Sequence, residues 1–132
     1  MSIPDDAPPE ARLCHLDYLR INLGRSEAAV QRLVALFLMN YGELLQRVRE
    51  TAAAAELPAL QSAVHDLRSN CVLFSAERCI QQARKIETAL RDALSDGGAR
   101  DALDWVAEAE ILCCCVEMMS QELRRYQANN PA

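Results

Sequence analysis

Two kinds of side chain in this chain could do chemistry without help: a histidine in an unusual setting and a set of cysteines. His65 lies in "LPALQSAVHDLRSNCVLF", residues 57–74. A helix rotates about 100° per residue, which turns His65 off the seam formed by Leu57, Leu60, Val64, Leu67, Cys71 and Phe74. Arg68, Ser69 and Val72 stand three, four and seven residues beyond it, and Gln61 one turn before, so the five share one helix face. An imidazole is a nucleophile and proton carrier near neutral pH. A guanidinium fork one turn away can hold anionic oxygens bidentately. The outer face of a bundle helix ordinarily carries dispensable charge, so an imidazole flanked by an arginine and an apolar valine marks a patch with a purpose. Asp66, a further step around the helix, is expected to be solvated, and His15, beside Cys14, has no motif around it.

The six cysteines are Cys14, Cys71, Cys79, Cys113, Cys114 and Cys115. The last three are consecutive, and a helix points such neighbours about 100° apart, so they cannot share one metal ion. None of the others forms a CxxC pair. The expectation is that all behave as small buried apolar residues in a reducing compartment, with zinc open only if distant cysteines converge in space.

Helical periodicity runs almost throughout, and no segment sustains alternation of period two. "EARLCHLDYLRINLG" predicts a short first helix with Leu13, Leu16, Leu19 or Leu23 on one side, stopping at Gly24. The second helix opens on Ser26 as N-cap and repeats Val30, Val34, Phe37, Tyr41, Leu44 and Val48, with surplus apolar width at Leu33, Leu36, Leu38 and Met39. Pro58 suits the first turn of the third helix. A fourth is capped by Ser75, striped by Cys79, Ala83, Ile86, Leu90 and Ala93, and stopped at Gly97–Gly98. A fifth, over about 99–127, repeats Trp105, Ala109, Leu112, Val116, Met119, Leu123 and Tyr126. Long helices on short connections predict an all-α fold, an antiparallel up-and-down four-helix bundle with a short extra N-terminal helix. The bundle is expected over residues 11–127, between a flexible N-terminal tail (1–10, "MSIPDDAPPE") and a C-terminal tail (128–132).

A chain of 132 residues buries enough surface for one core. Its net charge of −5 argues against nucleic acid or an anionic membrane as partner. The start lacks a signal-peptide pattern, and the longest apolar run, "LVALFLM", is far short of the ~18 residues that span a bilayer, so a cytoplasmic protein is expected. With every stripe used internally, a monomer is expected. No Gly-rich loop, nucleotide motif, Ser/His/Asp set or metal-ligand pair is visible.

The segment "HDLRSNCVLFSAERCIQQARKIE", residues 65–87, resembles the histidine-containing phosphotransfer (HPt) domain. That motif places Leu at +2 from the histidine, Lys at +3, Gly at +4 and +10, Ala at +11 and Leu-Glu at +21 and +22. Leu67, Arg68, Ala76 and the Ile86–Glu87 pair fit, with Arg for Lys and Ile for Leu. Upstream, residues 16–53 look like the first two helices of the family, and the resemblance extends over about residues 14–126. It departs at the two glycines, which are Ser69 and Ser75 here. Ser69 adds a Cβ and hydroxyl where a partner's backbone approaches, which either slows transfer or lets its Oγ bond the imidazole. Ser75 at a helix boundary is expected to cap.

The resemblance implies a stand-alone phosphorelay carrier without kinase activity of its own. His65 would accept a phosphoryl group at Nε2 from a receiver-domain aspartate and pass it to another, with Arg68 stabilising the phosphoryl charge. The partners implied are receiver domains of a hybrid sensor histidine kinase and of a response regulator, which bring their own Mg²⁺; the chain would need no cofactor. Gln61 is expected on the Nδ1 side, and Val72, Leu38 and Met39 as the docking surface. The alternative is an HPt-like docking module that regulates a receiver or kinase without being phosphorylated.

Overall fold

The computed structural model describes residues 12–100 and 102–130. They form five helices, α1 (Asp17–Asn22), α2 (Glu27–Ala53), α3 (Leu57–Leu73), α4 (Glu77–Leu94) and α5 (Trp105–Asn129), and no strand occurs among the described residues. The predicted tail, residues 1–10, lies outside them, as do Asp101 and residues 131–132.

Each long helix packs on two neighbours, α2 on α3, α3 on α4, α4 on α5 and α5 back on α2, and α1 touches α2. The pairing of α2 with α5 is antiparallel. Gln31, near the start of α2, donates to the backbone oxygen of Asn130 beyond the end of α5 (2.9 Å), whereas Arg49, late in α2, reaches Glu110 early in α5 (2.8 Å). Short connections impose the same sense on the other pairs.

The stripes of α3, α4 and α5 are buried at every predicted position. Leu60, Leu67, Leu90 and Leu112 are fully enclosed; cutting any of them to Ala would cost ~2–5 kcal/mol in lost transfer energy and cavity. In α2 the prediction slips by one residue. Leu45 and Ala52 are buried, while Leu44 and Tyr41 are only half-buried. Tyr41 sits at the edge because its ring stacks on Phe37 while its hydroxyl accepts from Arg124 (3.3 Å), an arrangement that keeps the polar end in water.

Caps set the boundaries. Ser26 accepts from the Ala29 N–H as predicted (3.2 Å), and Pro58 occupies the first turn of α3. Asp104 caps α5 by accepting from the Ala107 N–H (3.1 Å), so α5 begins at Trp105 rather than near residue 99 as expected. The fourth helix ends at Leu94, before Gly97–Gly98, because Ser95 leaves the helix with ψ 161° and turns its hydroxyl onto the Asp92 carbonyl.

The first helix is shorter than expected. Residues 12–16 are not helical, because the backbone N–H groups of Leu13 and Cys14 donate to the Glu122 carboxylate (2.7 and 3.1 Å) and His15 N–H donates to the Phe74 carbonyl (2.9 Å). Those bonds draw Leu13 and Cys14 into the core without a helix.

One corner recurs. In α1–α2, α2–α3 and α3–α4, the residue before the next N-cap is non-glycine with positive φ: Arg25 (62°), Ala55 (54°) and Ser75 (52°). Each corner carries a Schellman-type bond from the N-cap N–H or its predecessor to a carbonyl five residues back: Arg25 to Arg20, Glu56 to Thr51 and Ala76 to Cys71. Ser75 therefore does not cap α4, whose N-cap is Ala76. It occupies the left-handed position that a glycine would fill without strain.

Candidate functional site

Helix α3 presents His65 with 56 % of its side chain exposed, while Val64 and Leu67 on either side of it in the sequence are fully buried. The imidazole leans toward α4. Its Nδ1 lies 3.2 Å from Arg68 Nη2 and 3.7 Å from Glu87 Oε2, and Arg68 Nε donates to Glu87 Oε1 at 2.5 Å. Glu87 is the most enclosed of the three, with 15 % of its side chain exposed against 24 % for Arg68. Among the described residues nothing bonds Nε2. The ring is thus held by one edge and open at the other.

Nδ1 faces a donor and an acceptor at once. An arginine has no acceptor, so its Nη2 can bond Nδ1 only when that nitrogen is unprotonated, which puts the ring proton on Nε2. Glu87 favours the reverse tautomer, and its oxygen stands beyond hydrogen-bonding length. A shift of about 1 Å brings it within the usual 2.7–3.2 Å. Arg68 can therefore bond Nδ1 when the ring proton is on Nε2, and Glu87 can accept from Nδ1–H once that proton has exchanged through solvent to the other nitrogen.

Of the residues expected beside His65, some gather and some do not. Ser69 is exposed, and its Oγ donates back to the His65 carbonyl (3.1 Å) rather than to the imidazole. The hydroxyl is satisfied inside its own helix, a bond common for Ser four residues on. Gln61 shares the face and is half-buried, but the Nδ1 edge meets Arg68 and Glu87 instead. Asp66 is not simply solvated: Arg47 of α2 pairs with it at 3.0 Å. Val72 is exposed, as is Met39, while Leu38 packs partly onto the core. Separately, Leu36 of α2 and Leu73 of α3 line a shallow groove of about 360 Å³ with Phe37, Asn40, Leu44 and Asn70.

Glu87 fits the family motif in the sequence, which by itself assigns it no role. Its contact with His65 bridges two helices across the α3–α4 hairpin, and helical spacing within one segment does not reach that far. The signal available was the Ile86 stripe, which places the next residue at the edge of α4.

The cysteines depart from expectation. Cys79 of α4 and Cys115 of α5 are joined in a disulfide, with Cα atoms 5.7 Å apart, because antiparallel packing brings two residues from different helices level with each other. Cys14, Cys71 and Cys113 are buried thiols, and burial pushes Cys71 and Cys113 up to about 12, so they are inert. Cys114 is exposed. No group of three His, Cys, Asp or Glu side chains among the described residues could hold a metal ion. His15 is half-buried at the N-terminal segment, far along the chain from His65 and its partners.

The described residues thus form a helical bundle that presents a solvent-facing imidazole, gripped at Nδ1 and with nothing bonded at Nε2. The Hpt domain family model matches residues 32–126, more than half of the chain, and the chain belongs to that family. Membership implies histidine phosphotransfer in two-component signalling, where Hpt domains interact with receiver domains of kinases and response regulators. Neither a curated protein nor a solved structure matches the chain. No helix among the described residues is long and apolar enough to cross a membrane.

Proposed function

We propose that this chain is a stand-alone cytoplasmic phosphorelay carrier in which His65 takes a phosphoryl group at Nε2 from one receiver-domain aspartate and hands it to another. The observation that supports this most directly is the one-sided hold on an exposed His65, with Nδ1 between Arg68 and Glu87 and nothing bonded to Nε2 among the described residues. For attack, Nε2 must carry a lone pair, so the ring proton sits on Nδ1 and Glu87 accepts it. Arg68 then leaves Nδ1 and turns its Nη groups toward the phosphoryl oxygens. Nε2 forms the new bond to phosphorus as the bond to the aspartyl oxygen breaks in line, and the carboxylate departs with that bond's electron pair. Phosphoryl transfer rests on positioning and charge stabilisation, which this set of three can supply. The Mg²⁺ of the reaction is the receiver's contribution, as the donor aspartate is.

The docking face on this reading is the exposed side of α3 around Val72, with Gln61 and Ser69 framing the imidazole and Met39 and Leu38 contributing from α2. Ser69, whose glycine counterpart motivates the alternative of docking without phosphorylation, has its hydroxyl turned back onto the helix, which leaves the imidazole accessible. Mixing the protein with phosphorylated receivers and Mg²⁺ is the test. An acid-labile, alkali-stable label that disappears in His65→Gln supports the carrier reading. Regulation of a bound receiver that survives His65→Ala would replace it with the docking reading.

A further inference from the structure

The outward side of α5 carries Ala107, Ile111, Cys114 and Met118, spaced four, three and four residues apart, so all four line one stripe of the helix. Ile111 is 52 % and Met118 48 % exposed, and Ala107 and Cys114 are exposed with them. The opposite side of the helix, through Leu112, Val116, Met119 and Leu123, fills the core. Thus α5 is apolar on two sides, and the fold of one chain uses one of them. We propose that a second copy of this chain covers the other, with the two α5 helices antiparallel about a two-fold axis passing beside Cys114.

The stripe is complementary to itself in that register. With Cys114 at the axis, Ile111 of each copy meets Met118 of the other, and the small central side chain lets the backbones approach, as an isologous contact requires. Charge agrees with the same register. Arg125, at the far end of the stripe, has no carboxylate partner among the described residues, and antiparallel pairing brings it to Asp104 at the start of the second copy's α5, once on each side of the axis. Of the carboxylates flanking the stripe, Glu108 is engaged by Lys85 and Glu122 by the N–H groups of Leu13 and Cys14, while Glu110 and Glu117 share Arg49 and leave one uncompensated charge per copy, which the apolar contact and the two Arg125–Asp104 pairs must outweigh. Because α5 packs on α2 and α4, with α3 across the bundle, both His65 imidazoles stay clear of the contact. A single helix pair lies at the small end of protein interfaces, so the association is weak and concentration-dependent.

Sedimentation velocity of the full chain, with its Cys79–Cys115 disulfide intact and air excluded, from about 10 µM to about 1 mM, is the test. The average mass is expected to climb from one chain toward two, and Ile111→Asp or Met118→Lys is expected to hold it at one. Circular dichroism should stay unchanged in both, since both sites are at the surface. At high concentration diamide, which takes two protons and two electrons from a pair of thiols, is expected to link copies through Cys114, and Cys114→Ser to prevent the link. A mass fixed at one chain throughout overturns the proposal, as does a dimer that persists in both variants.

Discussion

Two of the arginine–glutamate clusters that tie neighbouring helices together differ in what they leave unsatisfied. On α2 and α5, Arg49 grips Glu110 through Nε and Nη2 and reaches Glu117 with the same Nη2, so a guanidinium meets two carboxylates and the arrangement is closed. On α3 and α4, Arg68 grips Glu87 through Nε, but its Nη2 rests on a neutral imidazole nitrogen. The first cluster has more negative charge than it needs. The second has a cation whose remaining donors point at a group that can change its proton and its charge. Ion pairing alone therefore does not distinguish a brace from a site; an exchangeable partner does.

The comparison would break most sharply at His65. His65→Gln is expected to lower phosphoryl acceptance from a charged receiver by at least ~1,000-fold, because the nucleophile itself is removed, with the melting temperature unchanged since the ring is largely exposed. A label that persists at another residue would end the assignment. Next come the ring's two partners. Arg68→Ala and Glu87→Gln are each expected to slow transfer by roughly 10–100-fold, the worth of a hydrogen bond to a charged group, and Arg68→Lys to recover part of it. Stopped-flow transfer rates that match the wild type in both would reduce this cluster to a brace like the other.

For the closed cluster the expected effect is on stability. Arg49→Ala should cost about 1 kcal/mol, as for partly exposed pairs arranged in a network, and leave the transfer rate alone. Hydrogen bonds from Arg49 hold the Glu110 carboxyl below its ordinary value. A carboxyl depressed in the folded state stabilises above its ordinary value and ceases to as the pH falls through the depressed one. The gap in urea midpoint between wild type and Arg49→Ala is therefore expected to close on acidification, and a gap that widens would contradict the sign. The smallest effect is expected at Ser69→Gly: a transfer rate within about threefold of wild type, because the hydroxyl bonds its own helix, and about 0.5 kcal/mol less stability from the added glycine. A rate gain of tenfold or more would show that the serine side chain does obstruct the receiver.

Much of the bundle was legible because burial repeats at helical spacing. Leu60, Val64, Leu67 and Cys71 can be read as one seam, and the same rotation takes His65 out of it. The reading failed where a residue's fate depends on another helix. Leu44 and Leu45 are both compatible with an apolar stripe, and only the position of α5 decides between them. Residues 12–16 read as helix until the Glu122 carboxylate claims their N–H groups. Cys79 and Cys115 become partners through the level at which two helices meet. The site divides in the same way. His65, Arg68, Ser69 and Val72 follow from spacing on one helix, whereas Glu87 and the Arg47–Asp66 pair arise only when helices pack.

The recurring corner has a consequence for the helix that carries His65. Ala55 and Ser75, both with positive φ, bracket α3 with the same hydrogen-bonded turn at either end. Between those corners the helix is 17 residues long, about 25 Å at 1.5 Å per residue. It acts as a ruler with fixed end stops: neither end can fray without opening a corner that also anchors a neighbouring helix. A group that must be offered to successive partners in the same attitude gains from such a mounting, because what each partner meets is set by the length of the ruler and not by the motion of a loop.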